Sequence, residues 1–142
     1  HALRDAPAAM TAHVVFSAID DCAPATISRR VTQDIIRGEI GFDGLLMSDD
    51  LSMHALSGPM RARAEAVIAA GCDLALHCNG DMREMRAAAE GVPALSQAAA
   101  DRFARACAIT RATTSFDEAE AIALLGEVLC EGTHSAQSPE SV

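Results

Sequence analysis

Two hydrophobic periods take turns along this chain, short apolar runs and longer stripes at helical spacing. Ala9 to Phe16 (Ala-Met-Thr-Ala-His-Val-Val-Phe) is β-branched and aromatic toward its end and runs into a polar, Pro-containing loop through Pro24. That is the pattern of a strand followed by a long loop. Ser28 then opens a helix, because Ile27, Val31, Ile35 and, one residue round, Ile36 recur at helical spacing while Arg29 and Arg30 lie off the stripe. The helix runs out near Gly41. Leu45, Leu46 and Met47 follow a Gly-containing connection as a short apolar run, which predicts a strand over Gly44 to Ser48 buried on both faces.

The alternation continues. Met60 to Ala70 is Ala-rich, with Arg61 and Glu65 at i,i+4, and Gly71 is placed to end it. A third strand is predicted over Asp73 to Cys78. Asn79-Gly80-Asp81 is a turn ending in an N-cap, so Met82 to Glu90 reads as a helix closed by Gly91 and Pro93. Two more helices are predicted, Ser96 to about Thr113 and Asp117 to about Leu129. The Gly, Thr, Ser, Gln and Pro content from Glu131 onward predicts an unstructured tail over 131–142, after a folded portion over 1–130.

The order β-α-β-α-β-α-α-α implies an α/β fold of parallel strands joined by right-handed crossovers. Three strands close no barrel, and a (β/α)8 barrel takes about 250 residues. If these 142 residues belong to one, they are its C-terminal part, and most of its first half lies outside them.

Composition narrows the classes of partner. Half of the residues are apolar, as in a globular domain, and the formal charge of −9 comes with no Lys among eleven basic residues. No basic stripe is available to neutralise phosphates, which disfavours nucleic acid and anionic membrane surfaces as partners. No apolar segment approaches the roughly 18 residues that span a bilayer, and no signal peptide is visible, although the chain opens on His1. Cys22, Cys72, Cys78, Cys107 and Cys130 include no Cys-x-x-Cys pair, which reads as the reduced thiols of a cytoplasmic protein. Cys72 and Cys78 flank an apolar run and read as core packing.

The chemistry gathers behind the second strand. Asp49 and Asp50 follow it directly, and the carboxyl ends of parallel strands are where α/β folds keep their active sites. Strand alternation puts Leu45, Met47 and Asp49 on one face, taken as the inner one, and Leu46 and Ser48 on the other. From Ile35 to Ser52 the chain shows two aliphatics, a basic residue, an acidic residue two further on, Gly44, three aliphatics and Ser48-Asp49. That string resembles the active-site signature of glycoside hydrolase family 3. With Met-Thr-Ala-His-Val-Val-Phe before it and Ala-Gly-Cys-Asp-Leu-Ala-Leu-His-Cys-Asn-Gly after it, the stretch from about residue 6 to about residue 115 resembles the bacterial β-N-acetylhexosaminidases of that family.

The resemblance implies a retaining hydrolase on a TIM-type barrel that removes terminal N-acetylglucosamine from muropeptides in peptidoglycan recycling, in the cytoplasm and without a cofactor. Its nucleophile is the Asp directly after the Ser, here Asp49. A retaining glycosidase needs one ionised carboxylate to attack the anomeric carbon and one acid for the leaving oxygen, about 5 Å apart. An exposed Asp near its ordinary value of about 4 is already ionised at neutral pH, so position matters more than tuning. In the resembled subgroup the acid/base is a His paired with an Asp, on a Lys-His-Phe-Pro-Gly-His-Gly-type loop upstream of the first strand read here. No such loop occurs in this chain, nor do the Lys, His and Arg groups that hold the sugar, so the segment is expected to be inactive alone.

Other polar residues carry two readings each. Met53 lines the sugar pocket or packs its loop; Asp50 accepts hydrogen bonds in the pocket or caps a helix. His13 is a satisfied core histidine rather than a ligand, and His54 faces solvent. His77 and Cys78 border the barrel mouth, without the companion ligands a zinc site needs; no metal is expected. Two further classes are weighed. Asp20-Asp21 with Asp49-Asp50 would bind Mg²⁺ in a receiver-like phosphotransfer domain, which usually presents a late-strand Lys that is absent here. A non-catalytic interaction fragment is the other.

Overall fold

The computed structural model describes residues 4–110 and 117–133. It divides into two compact units, His1–Arg111 and Ala112–Val142. In the first, three strands, β1 (Ala8–Met10), β2 (Leu45–Asp50) and β3 (Leu74–Leu76), form one parallel sheet in the order β1-β2-β3. A 3-10 turn (Ala25–Ile27) and a wide helix (Arg30–Glu39) connect β1 to β2, α1 (Met60–Ala70) connects β2 to β3, and α2 (Met82–Gly91) and α3 (Gln97–Thr110) follow. The α/β class and the parallel crossovers expected from the sequence are present.

Ser28, fully buried, starts the wide helix by accepting the Val31 N–H at 3.1 Å and donating to Asp20 at 2.5 Å. The helix is underwound, with the Ile40 N–H donating to the Ile35 carbonyl five residues back. A wider turn suits apolar positions spaced by four and five, as Val31, Ile35, Ile36 and Ile40 are. α1 buries Ala64, Val67 and Ala70 and ends on Gly71 at φ 117°, where an L side chain would be strained. Asp81 caps α2 by accepting from the Arg83 and Glu84 N–H groups. Between sheet and helices lies the core of Phe42, Leu46, Leu51, Leu56, Ala64, Val67 and Cys72.

Several boundaries differ from the sequence reading. β1 stops at Met10, so Val14, Val15 and Phe16 lie in the loop, about half exposed, despite their β propensity. Propensity gives way here because these residues find no neighbouring strand to pair with among those described. β2 runs two residues further than Ser48 and takes in both aspartates. Cys72 is buried as expected, and burial pushes its thiol up to about 11, but Cys78 is exposed and packs no core. In the second unit α4 (Glu118–Thr133) extends three residues into the segment read as a tail. Residues 111–113, predicted to end the preceding helix, and 134–142 lie outside the described residues.

Candidate active site

The amino-terminal end of the sheet is braced by charge. Asp73, whose side chain is 6% exposed, accepts from Arg37 at 2.8 Å, from Arg102 of α3 at 3.0 Å and from the Leu46 N–H at 2.9 Å. Arg37 also donates to the Phe42 and Gly44 carbonyls, so the basic residue of the Ile35 to Ser52 string staples the entry to β2. Asp43 takes Arg102 and Arg105 on the outside. These contacts hold the start of β2.

At its carboxyl end β2 departs from regular pairing. Met47 pairs with Leu74 and Asp50 with Leu76, three steps along one strand against two along the other. Ser48, fully buried, fills the gap by accepting the Leu76 N–H on its hydroxyl at 2.9 Å. The slip falls across Ser48 and Asp49, between the paired Met47 and Asp50, and a bulge of this kind re-aims side chains at a strand end. Leu46 and Ser48 are buried on the helix side, and on the other face Leu45 is buried as well while Met47 is partly open. Asp49 is half-buried, its carboxylate accepting the Asp50 N–H at 2.8 Å, and no cation pairs with it among the described residues.

Asp50 is the busiest residue here. Its carboxylate accepts the Ser52 N–H at 3.0 Å, the Ser52 hydroxyl and the Cys78 N–H at 3.1 Å. Burial pushes this carboxyl up, but those hydrogen bonds, with a smaller pull from His77, leave it below its ordinary value. Its carbonyl accepts from His13 Nε2 at 2.9 Å, while His13 Nδ1 meets the Thr26 hydroxyl at 2.9 Å. A carbonyl only accepts, so the ring proton sits on Nε2 and Thr26 donates to Nδ1. Thr26 in turn accepts from Thr11. His13 is thus the satisfied histidine expected, although it lies past β1 rather than within a strand.

The loop after β2 places the rest. Met53 is 42% exposed, its N–H on the Asp50 carbonyl, and His54 is exposed as expected. Arg63 of α1 was not singled out by sequence reasoning. It donates to the Leu51 and Met53 carbonyls and to Gly58, holding the loop to the helix. Its only signal is an Arg one turn into an Ala-rich helix behind the loop. His77 is buried beside Asp50, while Cys78 is exposed. The four-aspartate constellation is not assembled, since the described donors that cluster within 4.8 Å are Asp20, Asp21 and Cys22. Asp20 is already engaged by Ser28 and by the Cys22 N–H.

Three parallel strands joined by crossover helices have the form of an arc of a (β/α)8 barrel, and Asp49 lies at a strand's carboxyl end, the side on which such barrels carry their sites. Residues 1–112 match the glycosyl hydrolase family 3 N terminal domain, and the chain belongs to that family. The beta-hexosaminidase of Bordetella avium (strain 197N) is 47% identical over 75 residues, 51% of this chain and 21% of that protein. Among solved structures, the beta-N-acetylhexosaminidase from Beutenbergia cavernae DSM 12333 is 30% identical at TM-score 0.57, covering 76% of this chain and 34% of that one. Native NagZ from Neisseria gonorrhoeae is 33% identical at TM-score 0.59, covering 70% and 27%. The chain spans about a fifth of the length of the curated relatives it matches.

Proposed function

We propose that this chain is the nucleophile-bearing arc of a retaining β-N-acetylhexosaminidase that cleaves terminal N-acetylglucosamine from muropeptides or related β-glycosides. The observation that carries the reading is Asp49, a half-buried carboxylate with no cationic partner, held by the Asp50 N–H at the carboxyl end of β2 in a family 3 chain. With no cationic partner among the described residues, the Asp49 carboxylate attacks C1 of the sugar to form a covalent glycosyl-enzyme as the aglycone leaves, and water then hydrolyses it. The proton for the leaving oxygen comes from a group outside these residues. Met53, exposed on the adjoining loop, borders the sugar. The segment alone turns over no substrate and needs the remainder of the barrel to complete the site. A role in peptidoglycan recycling in the cytoplasm accompanies this reading, supported by the beta-hexosaminidase relatives and by the free thiols of Cys22, Cys72 and Cys78. Among the described residues, no helix is long and apolar enough to cross a membrane.

The test joins this chain to the four fifths of its relatives' length that it does not span and assays a chromogenic N-acetyl-β-glucosaminide. Asp49→Ala is expected to lower kcat by about 10³-fold or more with the fold intact, and a 2-fluoro sugar to leave its mass on the peptide containing Asp49. Turnover retained in the variant, or label on another carboxylate, rejects Asp49 as nucleophile.

A further inference from the structure

One buried titratable side chain at the mouth is not used by the proposed chemistry. His77 follows β3 with its side chain 6% exposed, and neither ring nitrogen has a hydrogen-bond partner. Two carboxylates from different elements face it instead. Asp50 Oδ1 of β2 lies 3.8 Å from Nδ1, and Glu84 Oε2 of α2 lies 3.6 Å from Nε2. A neutral imidazole presents a lone pair at one nitrogen, which a carboxylate repels, whereas the imidazolium presents an N–H at both. One acid per nitrogen therefore suits the charged ring alone.

The surrounding charges leave that pairing uncontested. Asp81, at the start of α2, is occupied by the Arg83 guanidinium and by two N–H groups of its own helix. Glu84 also accepts from Asn79 at 2.6 Å. Asp49 is turned onto the Asp50 N–H, and Arg63 of α1 is taken up by carbonyls of the loop after β2. From the β1 side both His13 ring nitrogens are taken up, by the Asp50 carbonyl and the Thr26 hydroxyl. Among the described residues, two acids and no competing cation pair with His77.

We propose that His77 is a positioning residue whose imidazolium ties Asp50 to Glu84, clamping the end of β2 against α2 and so fixing the residue before it, Asp49. The catalytic consequence rests on Asp49 being the nucleophile; the clamp itself does not. The link requires an N–H at each ring nitrogen.

The clamp is tested in the 142-residue chain by following the imidazole nitrogens of His77 by NMR across its titration. Asp50→Asn and Glu84→Gln are each expected to lower the pH at which His77 loses its proton, leaving exposed His54 unmoved. An unchanged His77 midpoint in the Glu84→Gln variant overturns the clamp, and that surface substitution leaves the core untouched. In the completed barrel, His77→Gln is expected to lower kcat about three- to tenfold with KM unchanged, and to remove the alkaline fall in kcat that coincides with the His77 midpoint. A variant that loses rate but keeps that fall shows His77 to be packing only. If the midpoints move as stated while Asp49→Ala stays active, the nucleophile assignment fails and the clamp stands.

Discussion

Single residues at the mouth owe their roles to hydrogen-bond arithmetic more than to burial. His13 offers one donor to the Asp50 carbonyl and one acceptor to Thr26, and both are used. His13→Leu removes the donor and strands the Thr26 hydroxyl, so a loss of ~1–2 kcal/mol is expected in urea unfolding. The carboxylates give a pH signature. The Arg83 side chain and two backbone N–H groups hold Asp81 below its usual value, the Ser28 hydroxyl does the same for Asp20, and the Ser52 and Cys78 donors do so for Asp50 against its burial. Each is depressed in the folded state, so its stabilisation is full above the ordinary carboxylate range and lost as pH falls through the folded value. Unfolding midpoints are expected to fall between about pH 5 and about pH 3. Asp81→Asn keeps the cap and should flatten part of that slope. A midpoint independent of pH across this window would contradict these contacts.

For the elements, the deciding feature is how β2 is held at both ends. Asp73 and Arg37 are nearly closed off from solvent, at 6% and 13% side-chain exposure. Asp73→Asn leaves Arg37 short of a counter-charge. Breaking such a pair from one side costs ~3–5 kcal/mol when fully buried, and Arg102 at 21% exposure softens this to about 2–3 kcal/mol. The decrease is read by chemical denaturation, and a change under about 0.5 kcal/mol would show the network to be surface decoration. Most of the elements were legible from pattern. Gly71 marked the end of α1, Asp81 marked the start of α2, and both lie where expected. The wide helix and the slip in β2 were not legible: the first rests on a five-residue bond from Ile40 to Ile35 within the helix, which apolar spacing does not tell from the ordinary four-residue one, and the second on Ser48 meeting the Leu76 N–H of another strand. Val14 to Phe16 misled because β propensity describes a half-buried pleated surface, and these residues have none.

Across the sheet-bearing unit, β1 and β3 are edge strands, with no further strand beside either among the described residues. Met10, Val14, Val15 and Phe16 are each 45% exposed or more near the β1 edge. Unpaired parallel edges next to apolar surface invite association. The isolated chain is expected to self-associate in light scattering and to bind a hydrophobic dye, and co-expression with the rest of a family 3 barrel to suppress both. A chain monodisperse at about 100 μM without dye binding would show that these surfaces are already satisfied.

From the residues alone came the α/β alternation, the family and the choice of Asp49, because apolar periodicity and a contiguous string of residue types survive in one dimension. The tertiary structure decided what surrounds that carboxylate. It brought Asp73, just before β3, to Arg37, the Ser48 hydroxyl to the Leu76 N–H, His77 to Asp50 and Glu84 to His77. Those pairings join positions 7 to 36 residues apart, and no local period encodes which distant donor will meet which acceptor.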